Sequence, residues 1–167
     1  MAKLSLYLQL SSLLIISLLL PLAYSKTKVT KIRVYLQDTF NTSQPVAYGD
    51  VFAIQNPLTV GPDPKSTLLG RTQGTVAFTT PEASHDLHMS IAYIFTSGEY
   101  NGSTVVAVGR NDVSQSVREF PIVGGTGAFR LARGIVAAST YSASRAIFIY
   151  DLEIIQDVSL KNEVDDV

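Results

Sequence analysis

The stretch FPIVGGTGAFRLARG, Phe120 to Gly134, gathers four glycines, and glycine-rich turns can cradle a phosphate with their backbone N–H groups. Gly125-Thr126-Gly127 opens a G-x-G pattern. The third glycine of G-x-G-x-x-G would fall at position 130, however, which is Arg130, and no P-loop lysine follows. A dinucleotide loop also ends a strand and opens the helix of a βαβ unit. Here the following residues are β-branched and glycine-interrupted, and only 40 remain after Gly127. The stretch therefore reads as a backbone corner between two strands, with Gly124, Gly125 and Gly127 shaping the turn through positive φ.

Other chemistry is sparse. The chain has no cysteine, which removes thiolate nucleophiles, haem thioether attachment and most structural zinc sites. His85 and His88 sit three apart at a loop-to-strand junction, a spacing that puts them on opposite faces of a strand, so no metal is assigned to them. Serine, histidine and aspartate occur without a G-x-S-x-G elbow. No metal or other cofactor is expected.

The elements that must position any site are strands. KIRVYLQDTF (Lys31–Phe40) alternates Ile32, Val34 and Leu36 with Lys31, Arg33, Tyr35 and Gln37. Comparable runs are Val46–Gln55, Leu68–Thr80, Leu87–Ser97, Ser103–Arg110, Val117–Gly124, Phe129–Ser142 and Ala146–Ile155, giving eight strand-like segments. Turn chemistry separates them: Asn56–Ser66 holds three prolines and a glycine, and Glu99–Thr104 centres on Asn-Gly, a strong hairpin signal. Tight turns without helical crossovers predict an all-β fold, an eight-stranded antiparallel β-barrel whose interior holds side chains or one small ligand.

Residues 1–25 combine Lys3, the apolar run LSSLLIISLLL (Leu10–Leu20), Pro21 and the small residues Ala23 and Ser25, the three parts of a secretory signal peptide cut after Ser25. The run is too short to span a membrane. Residues 26–167 are then one domain, secreted to the extracellular space and stabilised by a continuous core rather than disulfides. The net charge is −1 overall, with no basic cluster to engage nucleic acid. Asn41-Thr42-Ser43 and Asn101-Gly102-Ser103 fit the N-glycosylation pattern.

The passages EYNGSTVVAVGRN, VREFPIVGGTGAFRLARG and PLTVGPDPKSTLLGRTQG closely resemble the plant dirigent protein family, over about Ile32 to Ile155. The resemblance implies an allene-oxide-cyclase-like eight-stranded barrel, a homo-oligomer (trimer or dimer), apoplastic and glycosylated. It implies a protein that binds phenolic radicals or quinone methides and imposes a stereochemical course on their coupling, as in coniferyl alcohol to optically active lignans. A separate laccase or peroxidase would make the radicals, leaving this chain a non-enzymatic auxiliary. Alternatives are an isoflavanol-type dehydratase working through a quinone methide, and a non-catalytic phenolic-binding defence protein.

By the same resemblance, Asp38 in YLQDTF matches an acidic position of the family and Arg118 in VREFP a basic one before the corner. Asp38 would accept a proton from a phenol or quinone methide, and Arg118 would hydrogen-bond phenolic oxygens. Lignan-forming members carry an aspartate where GRND places Asn111, and an aromatic pair where this chain has Thr75 and Val76. Asn111 is a substrate-binding candidate that can hydrogen-bond but cannot act as a base.

Overall fold

A computed structural model describes residues 26–39, 46–81 and 86–157. Asn41, His85 and the segment read as a signal peptide lie outside them. Chain contacts gather Lys28–Gln156 into one unit, which contains everything discussed below; of the other, Met1–Thr27 with Asp157–Val167, only Lys26, Thr27 and Asp157 are described.

Eight strands follow one another around a closed antiparallel barrel: β1 (Thr27–Gln37), β2 (Val51–Thr59), β3 (Leu68–Phe78), β4 (Asp86–Phe95), β5 (Thr104–Asp112), β6 (Val117–Thr126), β7 (Arg133–Ser142) and β8 (Ile147–Asp157). Closure leaves no open edge, which suits a chain without disulfides. Strand alternation sends one set of side chains inward. In β6, Arg118, Phe120 and Ile122 are buried while Val117, Glu119, Pro121 and Val123 face out. Fully buried residues such as Leu58, Ile91, Tyr93, Phe120 and Leu152 each contribute about 2 kcal/mol through lost apolar surface.

The two ends of the barrel differ. At the end where β4 stops, Phe95, Tyr100 and Phe129 stack with ring centroids 4.8 to 6.0 Å apart and plug the interior. Phe129 belongs to a single 3₁₀ turn, Gly127–Phe129, rather than to a strand beginning there. That turn is clamped from beneath: the buried Gln156 amide donates to the carbonyls of Ala128 (2.9 Å) and Arg130 (3.1 Å), and the Ala128 N–H donates to Ser103 Oγ (2.9 Å). Leu131, at φ 60°, then breaks the chain direction before β7. The opposite end, where β1 and β3 stop, is not filled by such a plug and holds a cavity.

The glycine corner is also corrected in detail. Gly124 and Gly125 are part of β6, paired with Val106 and Val105, and only Gly127 has positive φ, at 59°. Gly125 is nevertheless required, because a Cβ there would stand 2.5 Å from Thr104 O and 2.6 Å from Phe129 O, whereas one at Gly124 would meet nothing. The need is for close approach of two backbones rather than for turn conformation.

The second strand is shifted from Val46–Gln55 to Val51–Thr59. Tyr48 and Gly49 form a turn, closed by Asp50 N–H donating to Ala47 O (3.1 Å), while Asn56, Pro57 and Leu58 pair with Thr72, Arg71 and Gly70. Proline is tolerated in this strand because the seam with β1 pairs only Leu58 and Thr59.

Candidate functional site

Inward alternation and the unplugged end together create a cavity of about 210 Å³, lined by residues of β1 to β6 and β8, among them Leu36, Asp38, Asn56, Met89, Arg118 and Tyr150. A larger concavity of about 610 Å³ lies on the outer faces of β1, β6, β7 and β8. Its cations are matched to acids on the surface, Lys31 to Glu153 at 2.8 Å and Arg33 to Asp151 at 2.6 Å. Such exposed pairs make an ordinary solvated face. The inner cavity is where apolar walls meet isolated polar groups, so the chemistry belongs there.

Asp38 stands one residue beyond β1, at the rim. Its backbone N–H donates to Ala146 O (2.9 Å) in the β7–β8 turn, and the next residue is gripped by Asn56 Oδ1, which accepts from Thr39 N–H (2.9 Å) and Thr39 Oγ1 (3.0 Å). Ala146 is at φ 52°, unusual for alanine. The β7–β8 turn and strand β2 thus hold the half-buried Asp38 in place.

Arg118 is only 7% exposed. Its Nη1 donates weakly to Thr140 Oγ1 (3.4 Å), its guanidinium carbon lies 5.8 Å from the centre of the Phe148 ring, and its Nε is buried without a partner. No carboxylate among the described residues forms an ion pair with it. A buried cation so incompletely satisfied retains donors for an oxygen atom brought in by a ligand.

Asn111, 8% exposed, donates from Nδ2 to Met89 Sδ (3.0 Å), while its Oδ1 is buried and unpartnered. A thioether can only accept, so the sulfur fixes which way the amide points. Arg110 and Asp112, flanking it on the outer face, hydrogen-bond at 3.3 Å.

Tyr150 lines the same cavity from β8. Burial pushes its phenol up to about 12, with Arg118 pulling down and Asp38 pushing up, so both charges act on this hydroxyl. Behind it lies Tyr93, fully buried, its ring centre 5.7 Å away and its hydroxyl sealed without a partner; burial and the neighbouring Tyr150 hold that phenol well above its usual value. Both phenols are more strongly protonated in the folded state. Below pH about 10 that contribution is complete; as pH rises from 10 toward 12 the unfolded chain ionises first and stability is lost. Urea unfolding at stepped pH should show a midpoint falling over this window, and Tyr150→Phe should shallow the fall.

The structure brings Asp38, Asn111 and Arg118 to one cavity. It keeps Asn101 and the corner glycines at the plugged end, Asn101 in the exposed β4–β5 turn with Ser103 buried beneath it. Tyr150, Met89 and Asn56 were not singled out as site residues by sequence. For Tyr150 a signal existed: in AIFIYDLEII, alternation aims Phe148, Tyr150 and Leu152 inward together.

A family profile described as dirigent-like protein matches residues 21–155. Dirigent protein 1 of Arabidopsis thaliana is 40% identical over 135 residues, covering 71% of this chain and 72% of that relative. Pterocarpan synthase 1 of Glycine max is 46% identical over 110 residues, covering 63% of this chain and 59% of that one. Among solved structures, the pterocarpan synthase dirigent protein GePTS1 superposes with a TM-score of 0.72 at 35% identity, covering 81% of this chain and 94% of that one. Pyocyanin demethylase, at 16% identity and a TM-score of 0.52, shares the fold alone.

Proposed function

The chain belongs to the dirigent family, and from that premise we propose that its barrel captures one phenolic radical or quinone methide at a time and selects the face at which it reacts. The observation that carries this reading is the cavity, about 210 Å³ of apolar wall interrupted by a carboxylate, an unpaired guanidinium and a phenol. An apolar cavity of about 150 Å³ accepts one benzene. The space therefore suits one substituted ring and is too small for two side by side. Arg118 binds the ring oxygen and Asp38 sits where a proton can be collected, while the walls cover one face of the ring. Radicals would come from a separate laccase or peroxidase.

A second reading, dehydration of an isoflavanol through a quinone methide, is favoured by the carboxylate and phenol that line the cavity. Such a reaction is unimolecular in substrate and uses proton-transfer groups, which a passive guide does not need. The similarity to proteins named pterocarpan synthase supports it as well. The same family reading proposes secretion, a homo-oligomeric barrel and glycosylation at Asn41 and Asn101, the latter supported by its exposure in a hairpin turn.

Two assays separate the readings. Coniferyl alcohol with laccase, analysed by chiral chromatography with and without the protein, should give an enantiomeric excess if the protein guides coupling. An isoflavanol without oxidase should be consumed if it is a dehydratase. Racemic coupling products together with an untouched isoflavanol would rule out both.

A further inference from the structure

Both readings, on which this inference rests, pass through attack of a hydroxyl on the electrophilic carbon of a quinone methide. A C–O bond forms, the exocyclic double-bond electrons return to the ring, the ring oxygen gains a proton and the attacking oxygen loses one. No oxidant enters. The step needs an acceptor for one proton and a donor of another.

Asp38 provides the acceptor. Four cavity side chains offer polar hydrogens: Asn56, Asn111, Arg118 and Tyr150. Amides do not release protons, Asn56 is committed to Thr39 through its oxygen, and Asn111 faces the Met89 sulfur. A guanidinium stays charged and can stabilise an anion without giving up its proton. Tyr150 remains. Its hydroxyl has no hydrogen-bond partner among the described residues and, unlike that of Tyr93, is not sealed in protein.

We infer that Tyr150 is a catalytic residue, its hydroxyl giving a proton to the ring oxygen of the quinone methide while Asp38 takes the proton of the attacking hydroxyl. Arg118, already acting on the Tyr150 phenol in the direction that favours its anion, stabilises the transient tyrosinate. The cycle closes when the proton held by Asp38 returns to the Tyr150 oxygen, leaving both groups as they began. In the dehydration reading the same two groups first run the step in reverse: with the Tyr150 proton shifted onto Asp38, the tyrosinate takes the ring-phenol proton while Asp38 protonates the departing hydroxyl, which leaves as water. The attack then proceeds as above, Tyr150 protonating the ring oxygen and Asp38 taking the proton of the attacking hydroxyl.

The test is Tyr150→Phe, which keeps the ring that stacks on Tyr93, beside Tyr93→Phe, which deletes a hydroxyl sealed in protein outside the cavity. With an isoflavanol as probe, Tyr150→Phe should lower kcat at least about 100-fold, leave KM within about threefold and leave the melting temperature at pH 7 unchanged. Tyr93→Phe should leave kcat within about threefold. Where the wild type acts only on coniferyl alcohol with laccase, the readout is enantiomeric excess, which Tyr150→Phe should abolish and Tyr93→Phe preserve. A Tyr150→Phe protein within threefold of wild type, one altered only in KM, or a Tyr93→Phe protein equally impaired overturns the assignment. A wild type inactive on both probes overturns the functional reading, and the assignment with it.

Discussion

Asp38→Asn is expected to reduce product formation by at least about 100-fold, the range in which a positioned proton acceptor contributes, while leaving the barrel folded. The substitution is isosteric. Two contacts that anchor this position, the Asp38 N–H on Ala146 O and the Thr39 grip on Asn56 Oδ1, are made by backbone and neighbours, and an amide side chain disturbs neither. What changes is that the side chain can no longer accept a proton. Removing its charge also withdraws one of the influences that push the Tyr150 phenol up, so the loss of stability above pH about 10 should become smaller and end at a lower pH. Rates of isoflavanol conversion, or enantiomeric excess in the coupling assay, measured beside a thermal melt provide the check. An Asp38→Asn protein as active as wild type would remove the carboxylate from the chemistry.

The largest expected effect on stability is that of Gly134→Ala. Gly134 lies in β7 between Ile122 of β6 and Ile154 of β8, at φ 145°, and a Cβ there would land on the carbonyl oxygen of Glu153. The obstruction is backbone and cannot swing aside like the tip of a side chain. Overpacking of this kind costs about 1–3 kcal/mol and an unfavourable backbone conformation a similar amount, so a loss of about 3 kcal/mol or more is expected. For a domain this size that is a fall of roughly 10 °C in melting temperature. Gly124→Ala is the matched control, since its Cβ meets nothing within 4 Å, and should melt within about 2 °C of wild type. Equal melting temperatures for the two variants would refute the close-approach argument.

Much of the barrel was legible from alternation, because each strand has one wet and one dry face and most of the turns between strands carry glycine, proline or Asn-Gly. The misread boundaries have a common cause. Asn56-Pro57 looks like a loop because proline is rare in strands, and only the short β1–β2 seam explains its place in one. Phe129 looks like a strand start because it is apolar, yet it is buried as a plug supported by Gln156, a partner 27 positions away along the chain. Arg118 is a cation on the same strand face as Phe120 and Ile122, a conflict visible in the sequence. Tyr150 presents no such conflict, since an inward tyrosine reads the same whether it packs or reacts; its role depends on the cavity beside it.

The aromatic plug of Phe95, Tyr100 and Phe129 has a kinetic consequence. A barrel sealed at one end has a single doorway, so traffic through it is single-file and whatever is formed must back out past Asp38 before the next molecule enters. Under the proposed function, product therefore competes directly with substrate for the doorway, giving competitive product inhibition, and any later reaction in the sequence must collect its substrate from free solution rather than through the barrel.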